Sequence, residues 1–288
     1  MKKILLTGAN GLVGSKLCNK LAKGNSEVYA AVKSFPDKPI KNVKYIVLDL
    51  CKKLNTDDLP RDIDYLVHLA QSNKFKEFPE GANDVFSVNV SSTHQLLEYA
   101  RKSNVKHFIY ASSGGIYSQS KSKLNENSSI QKNNELGNYL GSKICGEILV
   151  QNYSPFFKTS IIRPFFIYGF GQKRNMLLPR VYDFVENEIP IDLCGEEGLK
   201  INPIHVEDIV FSIKNLLESG RSPIYNLAGP KILSLRQICD SIGNYIGKDP
   251  IYKITSGTEI NFISDISLMK SELHSPRISL LDRIDDLR

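Results

Sequence analysis

The stretch Met1-Lys-Lys-Ile-Leu-Leu-Thr-Gly-Ala-Asn-Gly-Leu-Val-Gly14 decides how the rest of the chain is read. Ile4, Leu5 and Leu6 form an apolar run too short to be a helix of its own. Glycines follow at 8, 11 and 14, and apolar residues then recur at helical spacing as Leu12, Val13, Leu17 and Leu21. The pattern predicts a buried strand, a tight turn and a helix. Gly8 would permit the turn, Gly11 would let backbone approach a pyrophosphate, and Gly14 would let helix pack on strand, with phosphates at the helix N-terminus. The first gap is one residue longer than in Gly-x-Gly-x-x-Gly. Glycine turns also serve plain structure, so this stretch alone leaves a nucleotide site and a structural turn both open.

Bulk properties narrow the class. The chain has 288 residues, 41 % of them hydrophobic, and a mean hydropathy of −0.22, which suits a globular protein of one large domain or one and a half. No apolar run approaches the ~20 residues of a membrane span. The first residues lack a secretory pattern, so a cytoplasmic location is expected and the sequons at Asn89 and Asn127 carry little meaning. The net charge of +6 comes from lysines spread along the chain, which argues for a solvated surface rather than nucleic-acid binding. Cys18, Cys51, Cys145, Cys194 and Cys239 share no metal or redox spacing, so no metal is expected.

Further strands are expected at 27–33, 44–49, 64–70, 106–112, 159–163 and 223–228, with helices at 12–23, 82–103, 137–152, 206–219 and 234–246. Near-continuous apolar strands alternating with helices imply a parallel sheet covered on both faces. From 169 the rhythm shortens around Pro179, Pro190, Gly195, Gly198 and Pro203, which reads as a smaller C-terminal lobe. The polar stretch 118–136 is too long for a plain connector and reads as a mobile lid or a disordered tip.

Two further clusters bear chemistry. Tyr139 and Lys143 stand four apart on a helical pattern and share a face. An ammonium beside a phenol favours the phenolate, so Tyr139 could exchange a proton with an alcohol or ketone near neutral pH. Lys143 could also hold ribose hydroxyls, whereas as a bare spacing the two could be a surface pair. Tyr110-Ala-Ser-Ser-Gly-Gly-Ile-Tyr117 ends the fifth strand, at the edge where open parallel sheets place their sites. Ser112 and Ser113 are both available there to bond a reacting oxygen, although the same residues could form an ordinary turn.

Taken in order, a glycine turn, a serine after the fifth strand and a Tyr/Lys helix resemble the extended short-chain dehydrogenases/reductases, of the NAD-dependent epimerase/dehydratase type that mostly handles nucleotide sugars. Thr7–Gly14 is similar to that family's glycine turn, Asp49-Leu50 to its adenine contact, and His68-Leu-Ala70 to its fourth-strand motif. Asn89 resembles the helix asparagine near the nicotinamide. Ser113, Tyr139 and Lys143 match the catalytic set, and Arg163-Pro-Phe-Phe-Ile-Tyr-Gly169 matches the strand leading to the substrate lobe. Ile204-His-Val-Glu-Asp208 and Ile224-Tyr-Asn-Leu-Ala228 match later landmarks, with Asp208 structural and His68 a support of its strand. The resemblance implies a Rossmann-like doubly wound parallel sheet over 1–168, with a returning segment near 204–228. A discontinuous substrate lobe would then hold 169–203 and 229–288. Its cofactor contacts would be Gly8, Asn10, Gly11, Leu12, Val13, Lys33, Asp49, Leu50, Leu69, Ala70, Asn89, Tyr139, Lys143 and Pro164. Its substrate contacts would be Ser72, Gly114, Phe166, Lys200 and Asn202.

The cofactor implied is NAD or NADP. Ala30-Ala31-Val32-Lys33-Ser34 carries no acid for a ribose at the end of the second strand, and Lys33 tilts the reading modestly to NADP. Gly114-Gly115 stands where the 4,6-dehydratases of the family carry Asp-Glu, so the acid/base pair for water elimination is missing. A 4-epimerase or a 4-ketoreductase of a nucleotide sugar remains. Two departures touch the substrate diphosphate: Phe166 replaces the usual Asn, and Lys200-Ile-Asn-Pro203 lacks the usual Arg, which Lys200 or Arg174 would have to replace. Arg277, in the C-terminal tail, is another expected contact of the lobe. A reductase of a non-nucleotide carbonyl compound therefore stays open, as does a non-catalytic NAD(P)-binding protein. The resemblance also implies a homodimer through helices 82–103 and 137–152, although Leu96, Leu97, Ile144 and Leu149 could equally cover the sheet.

Overall fold

The computed structural model describes residues 1–219, 223–257 and 260–288. Ile4, Leu5 and Leu6 are buried in strand β1 (Lys2–Thr7), and the three glycines lead into helix α1 (Leu12–Ala22). The chain continues through β2 (Ser26–Val32), β3 (Val43–Val47) and β4 (Tyr65–His68). Helix α2 (Ala82–Phe86) runs through a π-helical turn, Ser87–Ser91, into α3 (Ser92–Lys102). Strand β5 (His107–Ala111), helix α4 (Gly137–Asn152) and strand β6 (Lys158–Pro164) follow.

Beyond them come β7 (Ile167–Tyr168), α5 (Leu177–Glu186), β8 (Ile191–Cys194), β9 (Lys200–Ile201) and β10 (Ile204–His205). The last part holds α6 (Val206–Ser219), β11 (Ile224–Leu227), β12 (Leu233–Ser234), α7 (Leu235–Ile246), β13 (Tyr252–Thr255), β14 (Asn261–Phe262) and α8 (Ser267–Glu272).

Seven strands form the main sheet in the order β11-β6-β5-β4-β1-β2-β3. Strands β3 to β6 pair in parallel throughout, for example Leu5 with Tyr29 on one side and with Leu66 on the other. The order reverses at β1, between β2 and β4, which is where doubly wound sheets open a crevice at their strand ends.

Two compact units divide the chain. The first holds Met1–Ile116, Ile130–Arg163 and Ile213–Tyr225; the second holds Tyr117–Ser129, Pro164–Ser212 and Asn226–Arg288. In the first, Leu5, Leu66, Leu96, Leu97, Phe108 and Ile161 share one buried cluster. Each such side chain contributes about 1.5–3 kcal/mol on burial. Leu96 and Leu97 are fully buried there and cover the sheet, and Leu149, half-buried, packs against the same cluster.

The second unit has its own core around Tyr168, Leu178, Tyr182, Leu193, Ile201 and Ile238. Helix α7 is its best-defined element. Ser234 and Gln237 form a reciprocal capping box at its start, and Gly247 ends it at φ 74°.

The stretch 118–136 is neither a mobile lid nor a disordered tip. Leu124 is buried and pairs with the chain at Ser264, its N–H donating to the Ile263 carbonyl at 2.8 Å. The Asn226 side chain donates to the Leu124 carbonyl (3.1 Å) and accepts from the Tyr117 hydroxyl (2.8 Å), while the Asn226 N–H donates to Glu126 (2.9 Å). One apolar anchor and one asparagine fasten a segment whose composition reads as loose. Among the described residues no helix is long and apolar enough to cross a membrane.

Candidate active site

The glycine turn is held by its own sterics. Gly8 sits at φ +72°, and a Cβ there would lie 2.7 Å from the Ala70 N–H nitrogen at the end of β4. A Cβ on Gly14 would run into the Gly8 carbonyl, so the turn folds back on itself only without side chains. Gly11 precedes α1 as its N-cap and supplies no side-chain cap. The N–H groups of Leu12 and Val13 in the first turn therefore face where an anion would sit. Asn10 donates to the Ser34 carbonyl at 2.9 Å, tying this loop to the end of β2, where Lys33 is exposed. Asp49 accepts the Cys51 N–H at 3.1 Å, and Leu50 packs on the core. Leu69 and Ala70 are half-buried after β4, with the Leu69 N–H on the Thr7 carbonyl. Burial drives the His68 imidazole down to about 3, so it is neutral. It bonds Thr7 (2.6 Å) and Thr93 (3.0 Å), as a strand support would.

The π-helical turn presents Asn89 inward. Its carbonyl oxygen accepts from the Ser72 N–H (3.0 Å) and its amide donates to Ser142 (2.9 Å). Ser142 in turn donates to the Tyr139 carbonyl at 2.6 Å. Ser72 is buried with its hydroxyl on Asp84, so the substrate contact expected of it is corrected to a structural one.

Tyr139 and Ser113 are brought together. The Ser113 hydroxyl lies near enough to the phenol to favour its charged form and accepts the Gly115 N–H at 3.1 Å, whereas the Ser112 hydroxyl is buried without a partner. Gly114 is buried in the short turn between them. The phenol also donates to the Gln71 side-chain oxygen at 3.0 Å. Gln71 was not expected; the only sign of it in sequence is a polar residue directly after Leu69-Ala70.

Tyr139 and Lys143 are both desolvated. Burial raises the phenol to about 12, with the Ser113 bond opposing, and burial lowers the Lys143 ammonium to about 7, with Glu147 opposing. The Lys143 Nζ donates to the Ala111 carbonyl at 2.9 Å and lies 6.0 Å from the Tyr139 ring centre and 5.3 Å from that of Tyr110. Desolvation is the largest influence on both groups.

The second unit uses its expected contacts differently. Asn202 is buried, with both amide ends on the Ser264 backbone at 2.9 Å, so its group is not available to a substrate. Arg174 is bound to Asp183 and to the carbonyls of Leu287 and Pro179, and does not stand in for the missing arginine. Phe166 adopts φ 43° and packs edge-on against Phe262. Lys200 and Pro164 are half-buried, Lys200 with its N–H on the Ile260 carbonyl. Asp208 accepts from His274 (2.8 Å) and from the N–H groups of Arg277 and Ile278, while the Arg277 side chain is exposed.

Residues 4–228 match the model of the NAD dependent epimerase/dehydratase family. The chain belongs to that family. Among family relatives, it is 26 % identical over 307 aligned positions to the uncharacterized UDP-glucose epimerase YtcB of Bacillus subtilis, covering 97 % of this chain and 95 % of that one. It is 24 % identical to a dTDP-4-dehydro-6-deoxy-D-allose reductase of Streptomyces bikiniensis, covering 90 % and 86 %. Its fold superposes with a TM-score of 0.85 on UDP-glucuronic acid 4-epimerase from Bacillus cereus in complex with UDP-glucuronic acid and NAD, at 23 % identity and covering 99 % and 97 %. The family's dinucleotide fits the first unit on this structure's own terms. The turn has no room for side chains at Gly8 and Gly14, and α1 starts uncapped.

Proposed function

We propose that this chain is a nucleotide-sugar 4-epimerase. The observation that carries the reading is the Ser113–Tyr139 contact with Gly114-Gly115 beside it: a proton-exchanging phenol with no carboxylate pair to eliminate water. Leu12 and Val13 N–H groups would hold the pyrophosphate, Asn10 and Asp49 the adenosine side, and Asn89, Tyr139 and Lys143 the nicotinamide side. When bound, NAD supplies the hydride acceptor and donor. Ser113 orients and polarises the sugar oxygen, and Tyr139 takes and returns its proton. A phenol raised to about 12 is protonated in the free chain and set to give its proton to a 4-keto oxygen; to take the proton of a 4-hydroxyl it would first release its own to solvent, which the positive charge of an oxidised nicotinamide would favour. Phe166 and Lys200 are proposed substrate contacts in the second unit. A homodimer, if formed, would use exposed residues such as Ile148 rather than Leu96 and Leu97.

One observation favours a second reading. Lys33 is exposed at the end of β2 with no acid beside it in sequence, which suits the extra phosphate of NADP and hence a 4-ketoreductase. Incubation with UDP-hexoses and catalytic NAD is expected to interconvert C4 epimers without net cofactor reduction. Stoichiometric NADPH oxidation by a 4-keto sugar nucleotide, without epimerisation, would replace the first reading by the second. Turnover of neither substrate class would reject both.

A further inference from the structure

Three buried charges lie behind Tyr139. Lys143 is 1 % exposed, and Glu147 and Arg163 are each 3 % exposed. Lys143 and Glu147 stand four apart on α4, the spacing at which oppositely charged side chains meet on a helix face. A buried charge without a partner is costly, so a Lys143–Glu147 pair would be the ordinary outcome. It does not form. Among the described residues Lys143 makes no ion pair, and its hydrogen bond goes to the Ala111 carbonyl. Glu147 instead receives two bonds from Arg163 on β6, Nε to Oε1 at 2.9 Å and Nη2 to Oε2 at 2.6 Å. The planar guanidinium fork matches a carboxylate in a way that one ammonium does not.

We propose that Arg163 is a positioning residue for Lys143: by occupying both carboxylate oxygens of Glu147, it keeps that anion from capturing Lys143 and leaves the ammonium turned to the Ala111 carbonyl and the rings of Tyr110 and Tyr139.

Other groups facing Lys143 do not compete for it. On β4, His68 is neutral. On β5, burial pushes the Tyr110 phenol far up, so it carries no charge, and its hydroxyl has no hydrogen-bond partner. Tyr110 is also fixed in place, because a Cβ on Gly146 would strike its hydroxyl. Glu147 is thus the anion whose position decides the charge on Lys143, and it is the group that draws the Lys143 pKa back upward against burial. Two cations share one carboxylate, and Arg163 holds it.

The kinetic consequence rests on the reading of Lys143 as the partner of Tyr139, but the geometry can be tested apart from turnover. The full chain, with and without NAD, is labelled with ¹³C at lysine Cε, and Lys143 is assigned by its loss in Lys143→Met. Arg163→Met frees Glu147 and is expected to move the Lys143 midpoint up by about one pH unit or more, tenfold in proton concentration. Glu147→Gln removes the anion and is expected to move it down. Opposite shifts are required but also follow from the bare charges, so the signature is that Arg163→Lys, which keeps the cation without the fork, still moves Lys143 upward. Folded variants that leave Lys143 unmoved, or move it in one direction only, overturn the proposal. Arg163→Lys keeps the cation without the fork and carries the test if Arg163→Met does not fold. It should give a smaller upward shift and a lower kcat with little change in NAD affinity, and no shift overturns the proposal equally. Undiminished turnover in Tyr139→Phe would instead strike the functional reading and leave the titration result standing.

Discussion

The first unit's site leaves some of its polar groups to solvent or to exposed partners, whereas Asn202, Arg174 and Asp208 of the second unit are closed within their own fold. Helix α1 starts without a side-chain cap, Lys33 is exposed, and the Tyr139 phenol rests on an exposed glutamine. In the second unit Asn202 has both amide ends on Ser264, Arg174 is bound to Asp183 and two carbonyls, and Asp208 is surrounded by donors. A buried polar group must find partners in its own fold. An open group inside an otherwise satisfied structure is therefore the better pointer to a ligand, and the contrast sets the uncapped start of α1 and Lys33 apart from Asn202.

The most direct way to break this contrast is Tyr139→Phe. It should leave the fold and NAD binding intact and lower turnover by about 10³-fold, within the usual range for a lost acid/base group; steady-state rates beside a cofactor titration check it. Next is pH. The ordinary lysine value is 10.5, and folding lowers Lys143 to about 7. Between those values the unfolded chain binds more protons at this site than the folded one, so stability rises with pH across that window. The burial penalty is fully present below about 7. From pH 7 to 9 the gain should reach up to about 3 kcal/mol in urea unfolding. Lys143→Met should remove that slope; an identical slope in the variant would show Lys143 to be solvated and the site less dry than described.

Asn202→Ala sharpens the other side. It strands the Ser264 N–H and carbonyl, so it should cost about 2 kcal/mol of stability with the sugar-nucleotide KM unchanged. A raised KM at unchanged Tm would move Asn202 into the open class. The smallest effect is expected at Phe166→Asn. Asn tolerates φ 43° better than Phe, but the ring contact with Phe262 is lost. The net change in Tm should correspond to less than about 1 kcal/mol.

Much of the first unit was legible because its constraints are steric or periodic. Parallel strands buried on both faces are continuous apolar runs, so β1 to β6 fall within a few residues of their expected places. Glycines that cannot carry a Cβ announce themselves by spacing. What could not be read is whom a polar side chain bonds. Ser72 and Asn202 look like ligand contacts until Asp84 and Ser264 are seen to hold them. The stretch 118–136 was misread because Leu124, one apolar residue in a serine- and lysine-rich run, does the anchoring. Gln71 was missed because nothing in its letter says that it reaches Tyr139. Spacing also does not report burial, which raises the Tyr139 phenol and lowers the Lys143 ammonium.

The π-helical turn at Ser87–Ser91 is in effect an insertion preserved in the geometry. One surplus residue widens the turn, and the Ser92 and Thr93 hydroxyls take up the carbonyls of Val88 and Asn89 at 2.6 and 2.8 Å. Its consequence is a matter of phase. Deleting one residue there would restore a regular helix and rotate α2 by about 100° about its axis. Asp84 would then leave Ser72, Ser72 would lose its hold on Asn89, and a change of helical phase would undo the alignment of the Tyr139 backbone with no substitution at any residue that touches it.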